Sequence, residues 1–195
     1  ANREGRLLTG GPRLRLDGQT VHHHMGLSAF AEYALVSEKS LVKIPADLPF
    51  VEASLFGCAV MCGAGTALYT AGIRPGQTVA VFGLGGVGLA AVLGAVTAGA
   101  GRIIAVDPDE EKLTLARSIG ATDCVNAGSA NAAEAVRELT QGGVDHAIDA
   151  SSSLDGFGNA FEATRRGGCT VTTSLTHPSQ KFSFPLARIV AEART

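Results

Sequence analysis

The spacing of hydrophobic positions changes near residue 49. Before it, short apolar stretches alternate with polar residues. Leu14-Arg15-Leu16-Asp17 runs into Gly18, and Phe30–Ser37 and Leu41–Ile44 read as two further strand-like runs, the second closed by Pro45. Asp-Gly between alternating residues is a strong signal for a two-residue hairpin turn, whose positions both need positive φ. A hairpin around Asp17-Gly18 is therefore predicted, and no helical period occurs in this part.

Beyond Pro49 the period lengthens. Residues 49–56 predict one or two helical turns, and Cys58 to Ala71 predict a helix of small residues ended by Gly72 and Pro75. From Thr78 strand and helix alternate. Strands are predicted at 78–83, 102–107, 122–125, 144–149 and 168–173, and helices at 86–99, 109–119, 130–141, 154–165 and 185–193. Val79-Ala80-Val81-Phe82 is apolar without interruption, as expected of a parallel strand covered on both faces. Five βα units in sequence predict an α/β fold with a doubly wound parallel sheet, preceded by a smaller β-rich part.

Composition narrows the functional classes. With 46% hydrophobic and 17% charged residues, the 195-residue chain carries enough apolar side chains for a packed core. A formal net charge of −2 gives no basic footprint, so nucleic acid is excluded as an expected partner. The longest mainly apolar stretch, Thr78 to Ala100, is broken by glycines and reads as strand and turn, so no membrane span is expected. Four cysteines (Cys58, Cys62, Cys124 and Cys169) make no disulfide framework in a chain this long, which points to a reducing, cytoplasmic setting.

The strongest local motif is Gly83-Leu84-Gly85-Gly86-Val87-Gly88, a G-x-G-x-x-G that follows a predicted strand and opens a predicted helix. Gly83 permits the tight turn, Gly85 lets a diphosphate approach the backbone, and Gly88 lets helix and strand pack closely. The helix start adds free N–H groups and partial positive charge. Asp107 lies 19 residues beyond Gly88, at the end of the second predicted strand. There a carboxylate suits both hydroxyls of an adenosine ribose and repels a 2′-phosphate, favouring NAD over NADP. The plainer reading makes Asp107 part of the turn before the next helix. Lys112, in that helix's first turn, has two readings also: a ribose contact or a solvated lysine.

Taken together, several segments resemble the zinc-dependent medium-chain alcohol dehydrogenases. They are Gly57-Cys58-Ala59-Val60 with Gly63, the run Val79 to Gly88, Ile103 to Asp107, Gly120 to Asn126, and Gly142 to Asp145, all in the family's order. Phe30-Ala31-Glu32-Tyr33 and Leu41-Val42-Lys43-Ile44 resemble the family's final catalytic-domain strands. The likeness is closer to the long-form alcohol and glutathione-linked formaldehyde dehydrogenases than to the zinc-free quinone reductases. It implies that residues 1–56 end a GroES-like catalytic domain and that 57–195 form a Rossmann domain lacking its last strand. It implies NAD and a catalytic zinc as cofactors, an alcohol or aldehyde as substrate, and a homo-oligomer.

The same resemblance assigns residues. Gly57-Cys58 matches one of the family's zinc ligands, and a cysteine at a helix start would also be favoured as thiolate; without the resemblance, Cys58 reads as an inert core residue. Cys62, one helical turn on, is implied to line the cofactor pocket. Cys124 and Cys169 fall in or beside strands and are assigned to the core. His22-His23-His24 is given a structural role, since consecutive residues of a strand point to opposite faces. Ala150, within Asp149 to Ser153, matches the segment beside the adenosine, and Thr173 and Leu175 match the segment beside the nicotinamide. Ser174 departs from a common glycine, and Ser153 from an arginine found in some relatives.

The resemblance also implies a piece of a longer protein. The remaining zinc ligands, the proton-relay hydroxyl and the structural-zinc lobe are expected upstream of residue 1, and a further sheet strand after Thr195. The chain alone is expected to be inactive. The rival expectation is a short, non-catalytic NAD(H)-binding module.

Overall fold

The computed structural model describes residues 6–7, 10–27, 30–128, 131–184 and 186–195. The chain divides into two compact units, Ala1–Pro49 and Phe50–Thr195.

In the first unit β1 (Leu14–Leu16) and β2 (Gln19–Val21) pair antiparallel, with Leu14 opposite Val21. Asp17 and Gly18 both take positive φ, 49° and 79°, the backbone of the predicted Asp-Gly hairpin turn. His23 is buried, accepting from the Arg13 N–H at Nε2 (3.1 Å) and standing 3.5 Å from the Leu27 carbonyl at Nδ1. The two strand-like runs predicted at 30–37 and 41–44 are not strands. They carry no ladder, and Phe30, Tyr33, Leu35 and Val42 stand exposed within the unit. Strand propensity needs a partner to pair with and a face to bury, and these runs have neither among the described residues.

The second unit opens with one continuous helix, Phe50–Thr70. It comprises α1 (Phe50–Leu55), a π-helical stretch at Phe56–Val60, α2 (Met61–Gly65) and a second π-helical stretch at Thr66–Thr70. Sequence reading separates this into two helices at Gly57, whereas the backbone runs through. By length and hydropathy (mean 1.5) this helix could cross a membrane, but its Gly63–Ala67 side is packed against the next helix.

Five parallel strands follow: β3 (Thr78–Phe82), β4 (Arg102–Asp107), β5 (Asp123–Asn126), β6 (Val144–Asp149) and β7 (Thr164–Thr172). Their order is β5-β4-β3-β6-β7, so the chain steps outward from β3 in one direction, then returns to build the other side. Helices α3 (Gly86–Thr97) and α4 (Glu110–Ser118) cover one face; α5 (Ala132–Thr140) and α6 (Leu154–Ala163) cover the other; α7 (Leu186–Ala191) follows β7. Alternate strand residues face the two cores. Val79, Val81, Ile103, Ala105 and Ile148 pack with Val92, Ala95 and Leu113; Ala80, Phe82, Ile104, Val106 and Ala147 pack with Val136, Ala160 and Ala163. This is the predicted doubly wound α/β sheet.

Capping sets the helix starts: Asp109, Asn131 and Ser153 accept N–H bonds from Glu111, Glu134 and Gly156. β7 begins four residues earlier than predicted. Its register shifts opposite Val144 and His146, and Gly167 takes φ 70° inside it, so an irregular stretch reads in sequence as the end of a helix.

Candidate functional site

Reversal of strand order between β3 and β6 leaves a crevice beyond the carboxyl ends of the strands, where two chain crossings run to opposite faces. The turn after β3 is Gly83 to Gly85, and it feeds directly into α3. Two of its motif glycines are fixed by backbone. Gly83 has φ 86°, and an added Cβ there would sit 2.5 Å from Ser151 Cα; at Gly88 it would sit 1.8 Å from the Gly83 carbonyl oxygen and 3.6 Å from Ala150 Cβ. Gly85 is different. Its φ is −72°, and a Cβ built on it meets nothing within 4 Å. The protein's own packing therefore gives no reason for glycine at that point, and the backbone at the first turn of α3 is open to solvent.

Asp107 closes the neighbouring wall. It is buried, and its Oδ2 accepts from the Leu84 N–H at 2.7 Å while Oδ1 accepts from the Asp109 N–H at 3.0 Å. Lys112 Nζ lies 3.7 Å from Oδ1. One carboxylate thus ties the glycine loop after β3 to the turn after β4. The turn-forming reading of Asp107 is correct, and it leaves lone pairs over, since two carboxylate oxygens offer about four acceptor sites. Asp107 lines a cavity of about 410 Å³ together with Gly83, Lys112, Ser151, Asp155 and Gly156, among others.

The turn after β6 is held in the same way. Asp149 is fully buried; Oδ1 accepts from the Ser151 N–H (3.0 Å) and Oγ (2.6 Å), and Oδ2 from the Thr172 hydroxyl (2.8 Å). Thr173 donates to the Asp149 carbonyl from N–H (2.8 Å) and Oγ1 (3.1 Å). Ser174, which departs from the glycine common in the family the sequence resembles, accepts the Ser152 N–H at 2.9 Å and so bridges the turns after β6 and β7. Asp155, Gly156 and Asn159 of α6 also line the cavity and escaped the sequence reading. The signal was present: they follow the strand that flanks the order reversal, opposite the glycine loop.

Gly83, Leu84, Gly85, Gly86, Val87, Gly88, Asp107, Lys112 and Ala150 are thus brought together at one end of the sheet. Leu175 stands exposed there. Cys62 and Cys58 lie exposed on the Phe50–Thr70 helix, which meets the loop at Ala59, whose Cβ is 3.4 Å from a Cβ built on Gly86, and at Gly63, which abuts the Val87 carbonyl. Cys58 does not begin a helix. It lies inside the π-helical stretch, so the argument from a helix start for its thiolate falls away. Among the described residues no three His, Cys, Asp or Glu side chains come together as a metal site. Cys124 is half-buried and its thiol stands 3.4 Å from the Leu113 carbonyl; burial pushes the thiols of Cys124 and Cys169 up.

A parallel five-stranded sheet wound on both faces, with a glycine turn at its order reversal, defines a Rossmann-like α/β protein. Comparison with known proteins narrows this class. A family model described as zinc-binding dehydrogenase matches residues 86–195. The chain is 40% identical over 183 residues to an S-(hydroxymethyl)glutathione dehydrogenase of Synechocystis sp., covering 92% of this chain and 50% of that protein. It is 42% identical over 162 residues to the alcohol dehydrogenase class-2 isozyme 2 of Oryctolagus cuniculus, covering 81% and 43%. Among solved structures, benzyl alcohol dehydrogenase from Acinetobacter calcoaceticus superposes with a TM-score of 0.87 at 29% identity, covering 100% of this chain and 54% of that one. The chain belongs to the zinc-binding dehydrogenase family, and it spans about half the length of the curated relatives it matches.

Proposed function

We propose that this chain is the cofactor-binding part of an oxidoreductase that interconverts alcohols and aldehydes with NAD. The observation that carries the reading is the open backbone at Gly85, a glycine with free space around its missing Cβ, beside a loop that Asp107 ties by a hydrogen bond to Leu84. A diphosphate seated there would meet the N–H groups at the head of α3, where the helix dipole favours negative charge. The remaining acceptor sites of Asp107 would take the ribose hydroxyls, with Lys112 beside them, and Ala150 would flank the adenosine. Asp107 and Asp155 together would disfavour a 2′-phosphate, which supports NAD over NADP. Thr173, Leu175 and Cys62 would border the nicotinamide.

Bound NAD would supply the hydride acceptor; the chain's own residues bind it, orient it and exclude water from one side of it. Zinc fits this chain less well. The described residues hold no three-ligand cluster, so no step is assigned to metal here. Cys58 would contribute one thiolate, completed by ligands outside this chain. Substrates to test are primary alcohols and, from the similarity to the cyanobacterial relative, S-(hydroxymethyl)glutathione. A soluble, cytoplasmic homo-oligomer is the setting proposed for the intact protein, with 1–195 alone inactive; the packing of Gly63 and Ala67 against α3 supports a non-membrane role for the apolar helix.

The rival is a non-catalytic NAD(H)-binding module. Incubating the intact protein with NAD and these substrates separates the two. NADH formation that disappears in Cys58→Ser, together with loss of stoichiometric zinc but retained NADH binding, is the expected outcome. Absence of turnover with any substrate, with NADH still bound, would establish the binding module.

A further inference from the structure

At the opposite end of the sheet, where β7 begins, lies a cavity of about 520 Å³ that the cofactor reading leaves unused. Five arginines line it: Arg137 of α5, Arg165 and Arg166 at the start of β7, Arg188 of α7, and Arg194. Only two carboxylates join them, Glu162 and Glu192. Arg188 grips Glu162 with both terminal nitrogens and reaches Glu192 with Nε at 3.2 Å. Arg165 is held by Asp145 at 2.6 Å. Arg194 is the deepest: 5% exposed, its guanidinium 4.8 Å from the Phe161 ring centre and bonded to the Phe161 carbonyl. Its Nε stands 2.6 Å from Glu192 Oε2, yet the two are misaligned and neither completes a hydrogen bond.

The charges do not cancel. Three carboxylates, Asp145 included, answer five guanidinium groups. The Arg166 guanidinium has no hydrogen bond or ion pair among the described residues, though its charge helps hold the Glu192 carboxyl low, and the Arg137 guanidinium makes a 3.3 Å bond to the Glu162 carbonyl. Arg137 and Arg166 are exposed and solvated, but like charges brought together in one cavity repel one another, and an anion between them relieves that repulsion. Guanidinium forks match phosphate oxygens in pairs, which a lone chloride does not exploit.

We propose that this arginine-lined cavity binds a small phosphate anion of up to diphosphate size, at a site separate from the cofactor crevice. The anion bridges Arg137 and Arg166 at the mouth and faces Arg194 within, so that it pins α7 and the segment after it to α5. Gly167, whose N–H donates to the Glu192 carbonyl at 2.8 Å, already ties that segment to the start of β7.

Calorimetric titration of the full-length protein with inorganic pyrophosphate, at constant ionic strength set with chloride, tests this. Saturable binding is expected, undiminished by saturating NADH. It is expected to weaken at least about tenfold in the Arg137→Gln/Arg166→Gln double variant. Both side chains are exposed, and neither belongs to the cofactor site, so that variant keeps its melting temperature and NADH affinity. No saturable heat, or equal binding by the double variant, would overturn the proposal. So would displacement of pyrophosphate by NADH, which would place the anion on the glycine loop.

Discussion

Gly85 and Gly88 stand three residues apart in one loop and answer to different constraints. Gly88→Ala drives a Cβ to within 1.8 Å of a backbone oxygen, an overpacking that costs about 3 kcal/mol. Its melting temperature should fall by roughly 6 °C or more. Gly85→Ala meets no protein atom, so its melting temperature should stay within about a degree of the parent while NADH affinity drops at least about tenfold. An unchanged NADH affinity in Gly85→Ala would place the diphosphate elsewhere. Asp107→Ala has a mixed signature. It strands the buried Leu84 N–H, costing about 1–3 kcal/mol, and leaves the N–H of the exposed Asp109 to water; on the proposed function it should also narrow the preference for NADH over NADPH. The placement of these residues, in a turn between strand and helix with Asp107 at the end of the next strand, was readable from G-x-G-x-x-G and the spacing to Asp107. What escaped was Asp149, because a buried aspartate ending a strand carries no local motif; its Ser151 and Thr172 partners come together only when β6 and β7 pair.

Among the elements, the Phe50–Thr70 helix was the hardest to foresee. Gly57 reads as a break, but it costs a helix only about 1 kcal/mol relative to alanine, and tertiary packing overrides that. Gly63 is the glycine that packing requires, since a Cβ there would stand 2.1 Å from the Val87 carbonyl; Gly94 answers it from α3, with a Cβ site 2.8 Å from Ala64 Cα. Opposite results follow. Gly57→Ala, with nothing within 4 Å, should raise stability by about 0.5–1 kcal/mol, and Gly63→Ala should lower it, both measurable by urea unfolding. The runs at 30–37 and 41–44 show the converse failure. Their composition favours strand, but strand is a property of the pair and its buried face. The long parallel strands were legible because Val79 to Phe82 and Ile103 to Val106 are apolar on both faces, a pattern that burial on both sides demands.

Across the whole molecule, the sheet carries titratable groups whose folded values should make stability depend on pH. Hydrogen bonds from the Arg102 fork to Asp123, at 2.8 Å on each oxygen, hold that carboxyl below the usual range. Burial raises Asp145, but bonds from Thr78 and Arg165 outweigh it and hold it low. Both groups stabilise fully above the ordinary carboxylate value of about 4, and that stabilisation is lost as pH falls through their depressed folded values. His146 also titrates low, pushed down by burial with Nδ1 unpaired and Nε2 3.0 Å from Gln77 Oε1. The unfolded chain takes up its proton first, so stability should begin to fall below about pH 6.5. Urea midpoints from pH 7.5 to 5 should decline in the parent and flatten in His146→Gln; identical slopes would mean the imidazole is not held neutral.

The proposed function rests on a dinucleotide seated over the head of α3, with its ribose on Asp107. Titrating the intact protein with NADH and NADPH in parallel, followed by the change in nicotinamide fluorescence, tests this directly. Saturable NADH binding at least about tenfold tighter than NADPH is the predicted result. Equal affinity for the two, or no saturation by either, would contradict it.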